Sequence, residues 1–180
     1  LFFFFQEYPS EKFLSQLHQQ VWELPSLDHI VMNPSPIQVP ALRSEDERIQ
    51  QYEQTRNFPA QDGTTIAGPH LRFGTVSIRK LAAQAMKNST TYLNELIWRE
   101  FFMHIMFYFP QSEQSNFYSK YNAMQWRNNE EEFEKWCQGQ TGYPMVDAGM
   151  RELAATGFMH NRVRMVVASF LTKHLLIDWR

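Results

Sequence analysis

Three stretches of this sequence hold side chains whose types and spacing suit chemistry. In YLNELIWREFFMHIMFYF (92–109), Glu95, Trp98, Arg99 and Phe102 fall three and four residues apart, so a helix sets them on one face. That face joins an acid, a base and a large flat aromatic. Trp98 can stack on a planar ligand, Glu95 can supply a hydrogen bond or a proton, and Arg99 can hold an anion. The same spacing also suits a Glu95–Arg99 ion pair with Trp98 half-buried. In TGFMHNRVRMVVAS (156–169), Asn161, Arg162 and Met165 lie within about one turn, with Asn161 and Met165 on the same side. Asn161 can be a helix cap and Met165 a core filler. Together with Arg162 they can also read the edge of a flipped base. The third stretch is Tyr52 to Ser77. Arg56 precedes Asn57-Phe58-Pro59, and Gly63-Thr64-Thr65-Ile66-Ala67-Gly68 is a run of mostly small residues before Pro69. Such a run lets backbone N–H groups and hydroxyls approach a phosphate closely. It matches neither a dinucleotide fingerprint nor a P-loop, and an ordinary solvent loop reads the same way.

Several chemistries are excluded. The single cysteine, Cys137, allows no internal disulfide framework and no cysteine-based metal cluster. The six histidines (18, 29, 70, 104, 160 and 174) show no metal-ligand spacing. There is no Gly-x-Ser-x-Gly elbow for a serine hydrolase. No stretch approaches ~20 uninterrupted apolar residues, as a membrane span requires. With 43% hydrophobic and 15% aromatic residues, the 180-residue chain can bury a core rather than stay disordered. The net charge of -2 conceals a segregation. Residues 1–53 sum to -5, 54–99 to +4, 100–140 to -3 and 141–180 to +2. Two of the three chemical stretches therefore lie in locally basic segments, within a chain whose overall charge gives no nucleic-acid signal.

The elements that must position these residues read as helices. Ser10 caps a helix to about Val21, with Phe13, Leu14, Leu17 and Val21 on one side. Leu24 to Leu42, with four prolines, is a connecting loop. Ser44 and Glu47 form a capping box for a helix to about Arg56. Asn57 to Phe73 reads as a functional loop. Ser77 caps a helix to about Asn88, and Thr90 or Thr91 caps the next, which ends at Pro110 and places Leu93, Leu96, Ile97, Phe101 and Ile105 in the core. Asn129 opens an acidic helix that Gly139 ends. Pro144 opens a helix that Gly157 ends, and a last helix runs from about His160 to Leu176. Both chain ends look cut. The five tryptophans have no spacing that connects Trp126 with Trp179.

The chain resembles the FAD-binding helical domain of the DNA photolyase/cryptochrome family. The matching stretches are YEQTRNFPAQDGT (52–64), LRFGTVS (71–77), NELIWREFF (94–102), MQW (124–126), GQTGYPMVDAGMREL (139–153), TGFMHNRVRM (156–165) and ASFLTKHLLIDWR (168–180). They follow the family's order over roughly residues 45–180; residues 1–44 match loosely and would be a first helix and linker into the domain. The resemblance implies an all-α, multi-helical, truncated FAD-binding domain. It also implies specific roles. Tyr52 and Thr64, Thr65, Ile66, Ala67 and Gly68 would contact FAD, chiefly its phosphates, and Arg99 would lie close to the flavin. Arg56 would contact DNA phosphate near the lesion. Glu95 would hydrogen-bond a flipped pyrimidine dimer and Trp98 would stack on it, with Asn161 and Met165 beside flavin and lesion. Phe102, Asn161, Arg162 and Val163 would face DNA. Trp126 and Trp179 would be the outer and middle members of an electron-hopping chain.

The implied activity is light-driven splitting of cyclobutane pyrimidine dimers, a deoxyribodipyrimidine photo-lyase reaction. Members that repair the (6–4) photoproduct carry histidines where this chain has Asn161 and Met165, which favours cyclobutane-dimer repair. The resemblance also implies a second antenna chromophore, of folate or deazaflavin type, outside this chain. The partner would be UV-damaged DNA, and the whole protein a cytoplasmic monomer found at the nucleoid when bound. A blue-light photoreceptor of cryptochrome type, or a helical fragment without flavin, are the alternatives. Two positions depart from the family. Thr64-Thr65-Ile66-Ala67-Gly68 stands where Thr-Ser-Arg-Leu-Ser is common and loses the last hydroxyl, and Phe158 stands where Trp is common. The chain stops before the family's innermost tryptophan and flavin-ring segment, so this piece alone is expected to lack repair activity.

Overall fold

The computed structural model describes residues 38–180 and the short stretches 15–16, 23–26 and 29–30. The helix expected from Ser10 to Val21 lies almost wholly outside the described residues. Among these residues every regular element is helical and there is no strand.

Two short helices, α1 (Asp46–Gln50) and α2 (Tyr52–Thr55), replace the single helix expected up to Arg56. The capping box does not form: Glu45 is the N-cap, without a side-chain cap bond. Contacts from far along the chain take its place. Gln84 Nε2 donates to the Ser44 carbonyl at 2.7 Å and to Asp46 Oδ1 at 2.6 Å, and Asn88 Nδ2 donates to Asp46 Oδ1 at 2.9 Å. The segment expected as a loop from Asn57 to Phe73 contains α3 (Ala67–Arg72). Pro69 is tolerated there because the first turn of a helix has no intrahelical acceptor for its N–H groups.

Helix α4 (Ile78–Asn88) follows Ser77, which makes no side-chain cap bond. Helix α5 (Thr90–Tyr108) is capped one residue earlier than expected, by Ser89, whose Oγ accepts the Tyr92 amide at 3.3 Å. Asn129 caps α6 (Glu130–Cys137) by accepting the Glu132 amide at 3.0 Å. Three acids in the first turn of α6 suit the positive end of its dipole. Helix α7 (Pro144–Thr156) begins on its proline and ends at Gly157, whose φ of 70° is the left-handed conformation a side chain resists. Helix α8 (Asn161–Ser169) is capped by His160, not Asn161: the imidazole Nδ1 accepts the Arg162 amide at 3.2 Å. The helix expected to reach Leu176 instead widens into a π-turn, Phe170–His174.

Two apolar clusters hold these helices. The first joins α1, α3, α4 and α5 through Ile49, Ala67, Leu81, Ala82, Ala85, Tyr92 and Leu96. Leu81 and Ala85 are one turn apart and pack in one cluster with Ile49, which is fully buried; burying Leu81 or Ile49 contributes about 1.5–3 kcal/mol each. The second joins α7 and α8 through Val146, Met150, Met159, Val163, Val167 and Phe170. Gly149 permits this pairing, because a Cβ there would stand 2.5 Å from Val163 Cγ1 and 3.0 Å from Val167 Cγ2. On α5 the expected core stripe is only half present. Tyr92 and Leu96 are buried and Leu93 packs beside them, whereas Ile97 and Phe101 are exposed.

Candidate cofactor and nucleic-acid site

A cavity of about 330 Å³ opens where the two clusters meet. Tyr52 comes from α2, Thr64 to Gly68 from the turn into α3, Glu95 and Arg99 from α5, and Asn161 and Arg164 from α8. The turn into α3 is shaped by Ile66, whose φ of 51° is a left-handed conformation that a β-branched residue adopts only under constraint. The constraint is visible on both sides. The Thr65 carbonyl accepts the Arg43 amide at 3.0 Å, and the buried Thr65 hydroxyl bonds the Tyr92 hydroxyl at 3.1 Å. Asp62, just upstream, pairs with Arg43 and Arg48.

Burial pushes the Tyr92 phenol above its ordinary pKa, against the opposing hydrogen bond from Thr65. Tyr52 is raised as well, by burial first and then by the charge of Glu95. Both phenols therefore stay neutral donors at physiological pH. Their rings meet edge to face at 5.0 Å. Arg56 lies over the Tyr52 ring at 5.4 Å, and its Nη1 donates to Glu95 Oε1 at 2.5 Å. Glu95 is thus paired with Arg56, not with Arg99. Arg99 and Arg164 have no ion-pair partner among the described residues. The wall so built carries two uncompensated cations, the Thr64 hydroxyl, and a backbone open at Gly68, where a Cβ would meet nothing within 4 Å.

Residues 92–180 match the family described as the FAD binding domain of DNA photolyase. A deoxyribodipyrimidine photo-lyase of Vibrio cholerae is 46% identical over 144 residues, covering 74% of this chain and 31% of the relative. The enzyme of that name from Escherichia coli is 43% identical over 140 residues, covering 72% and 30%. The chain belongs to the DNA photolyase/cryptochrome family.

Solved structures of this family agree in fold. A bacterial class III photolyase from Agrobacterium tumefaciens superposes with a TM-score of 0.69 at 43% identity, covering 73% of this chain and 29% of that one. A Synechocystis cryptochrome does so with a TM-score of 0.65 at 30% identity, covering 90% and 39%. The chain spans about a third of the length of the curated photolyases it matches.

Tyr52, Thr64, Thr65, Ile66, Ala67, Gly68, Glu95, Arg99 and Asn161 line one cavity. The face expected to unite Glu95, Trp98, Arg99 and Phe102 divides in two. Glu95 and Arg99 turn inward with Tyr92 and Leu96, while Trp98 and Phe102 turn to solvent and stack on each other at 5.9 Å. Val163, expected at DNA, is corrected: its side chain is 6% exposed and packs on α7. Met165 does not share the cavity of Asn161. It lines a separate apolar hollow of about 470 Å³ with Tyr143, Val166 and Phe170. Arg162 reaches back to Asn57, whose Oδ1 accepts from its Nε at 2.9 Å and Nη2 at 2.7 Å.

Trp126 and Trp179 sit on segments that pair with each other. The Arg127 amide donates to the Leu176 carbonyl at 2.8 Å, and the Asp178 amide donates to Asn128 Oδ1 at 2.8 Å. Trp179 Nε1 donates to Asn116 Oδ1 at 3.4 Å, whereas Trp126 Nε1 is buried with no hydrogen-bond partner among the described residues. Sequence reasoning missed Tyr92 and Asn57. Tyr92 was legible, since 92, 95, 96 and 99 share a helical face. Asn57 carries no local signal. Among the described residues no helix is long and apolar enough to cross a membrane, and no cluster of potential metal ligands occurs.

Proposed function

We propose that residues 45–180 form the FAD- and lesion-binding part of a deoxyribodipyrimidine photo-lyase, which splits cyclobutane pyrimidine dimers in UV-damaged DNA using light. The observation that carries this reading is the convergence of Tyr52, Thr64 to Gly68, Glu95, Arg99 and Asn161, from three distant segments, on one cavity. FAD fits that donor set. Arg99 and Arg164 offset the charge of a pyrophosphate, Thr64 offers a hydroxyl, Thr65 and Ile66 shape the turn, and the bare backbone at Gly68 admits close approach. The hydroxyl lost at Gly68 removes one donor but leaves that space. When bound, FAD supplies the light-driven electron that opens the dimer.

The protein's own work is to extract and hold the dimer. A dimer stacks and pairs poorly, so extruding it costs less than extruding normal bases. The stacked, exposed rings of Trp98 and Phe102 form an aromatic ledge that returns about 1–3 kcal/mol per base. Glu95 hydrogen-bonds the dimer, and Asn161 lines the same cavity. Arg56 and Arg162 meet backbone phosphate, which makes affinity fall with salt. Met165 serves the lesion from the neighbouring hollow. Trp126 and Trp179 form part of the path by which an electron reaches the cofactor; Trp179→Phe slows flavin photoreduction, measured by absorbance under blue light. An antenna chromophore lies outside this chain.

The deciding experiment is repair of a thymine-dimer oligonucleotide by the full-length protein under blue light. Complete absence of repair with FAD bound rejects the enzyme. It would favour a photoreceptor, the reading that the likeness to a cryptochrome supports. Glu95, Trp98, Asn161 and Met165 favour the enzyme.

A further inference from the structure

We propose that Asn57 is a specificity-determining positioning residue, the second arm of a clasp whose first arm is Arg56. The proposal rests on the photolyase reading above. These two adjacent residues follow α2 and reach in opposite directions. Arg56 Nη1 donates to Glu95 Oε1 on α5 at 2.5 Å. Asn57 Oδ1 accepts two donors of Arg162 on α8, Nε at 2.9 Å and Nη2 at 2.7 Å, across 105 positions of sequence. A guanidinium held by two donors on one oxygen cannot swing freely about its stem. Arg162 is the neighbour of Asn161, so holding it sets the first turn of α8 relative to α5. The separation of Glu95 and Asn161 across the cavity mouth then follows from the clasp.

The clasp stands on a fixed base. The Phe58 amide donates to the Thr55 carbonyl at 3.1 Å, and the Thr55 hydroxyl donates to the Gly63 carbonyl at 3.3 Å. Gly63 lies against Thr55 so closely that a Cβ would stand 2.4 Å from it. The choice of an amide also has a consequence. Asn57 holds Arg162 without neutralising it, and no carboxylate pairs with Arg162 among the described residues. The positive charge remains available to a phosphate. Asn57 itself is exposed, so its replacement opens no cavity in the core.

The test is equilibrium binding by the full-length, FAD-loaded protein to a thymine-dimer duplex and to the undamaged duplex of the same sequence, over a range of salt. Asn57→Ala is expected to lower the ratio of the two affinities about tenfold while FAD content and Tm stay as in the wild type. Asn57→Asp is expected to restore the ratio, because a carboxylate accepts the same two donors. Its dependence of log affinity on log salt is expected to flatten by about one, because Arg162 is neutralised. A wild-type ratio in Asn57→Ala, or an Asn57→Asp ratio as low as that of Asn57→Ala, overturns the clasp alone. A wild-type protein with no preference for the dimer overturns the photolyase reading and the clasp with it.

Discussion

Helices α1 to α5 and helices α6 to α8 hold together by different means. The first group is tied by polar contacts between residues far apart in sequence: Asp46 with Gln84 and Asn88, Asp62 with Arg43 and Arg48, Thr65 with Tyr92. The second group is closed mainly by packing of neighbours, with α7 and α8 meeting over Gly149, and by local caps at Asn129, Pro144 and Gly157. The first group supplies most of the cavity wall; the second supplies one side of it through Asn161 and Arg164. Polar ties fix the direction of individual side chains, which a binding site needs. Apolar packing fixes the distance between helices and leaves surface side chains free.

Four changes would break or sharpen this contrast. Leu81→Ala, in the centre of the first cluster, should cost about 2–5 kcal/mol in denaturant unfolding, since it leaves a cavity under α1 and α4. Gly149→Val should cost about 1–3 kcal/mol by forcing α7 from α8. The loss should appear first in hydrogen-exchange protection of α7 and α8 rather than of α4. Trp98→Ala touches neither cluster. It should weaken binding of a thymine-dimer duplex by about tenfold, within the range for one stacked base, while flavin content stays unchanged. Equal binding by wild type and variant would remove Trp98 from the lesion contact.

The fourth change is in pH. Asp147 accepts the Thr141 hydroxyl at 2.6 Å, the Thr141 amide at 2.8 Å and the Gly142 amide at 3.0 Å. The Thr141 hydroxyl bond first, then the two amides and the charge of Arg151, hold its pKa below the ordinary carboxylate value despite burial. A carboxyl depressed in the folded state stabilises fully above its unfolded pKa, and that stability is lost as pH falls through the folded pKa. The Tm of the wild type should therefore drop on acidification by more than that of Asp147→Asn. Parallel Tm profiles would show that the carboxylate does not hold the turn before α7.

The legibility of the two groups followed the same division. Asn129, Gly139, Pro144 and Gly157 mark helix ends by rules that act within four residues, and the helices they bound stand where the sequence puts them. The capping box at Ser44 did not form; the chain enters α1 at Glu45, and the Ser44 carbonyl accepts from Gln84, 40 residues away, a contact no local rule foresees. Helix α3 was hidden because its start is held by Thr65 against Tyr92 rather than by a cap residue. The core stripe of α5 was misjudged because periodicity names an apolar face without saying where packing partners stop. Leu96 has them in the first cluster, whereas Ile97 is exposed and, of the aromatic rings among the described residues, Phe101 meets only those of Trp98 and Phe102 on its own helix.

By itself the sequence determined the helical class, most helix boundaries from α4 onward, the family, and some of the residues that line the cavity, among them Tyr52, Glu95, Arg99 and Asn161. These depend on local backbone chemistry and on motifs that survive as strings of letters. The tertiary structure alone decided that Glu95 pairs with Arg56, that Trp98 and Phe102 part company with Glu95 and Arg99, that Val163 is core, and that Asn57 holds Arg162. Each of those outcomes depends on which distant atoms come within hydrogen-bonding or packing distance, and no spacing along the chain records that.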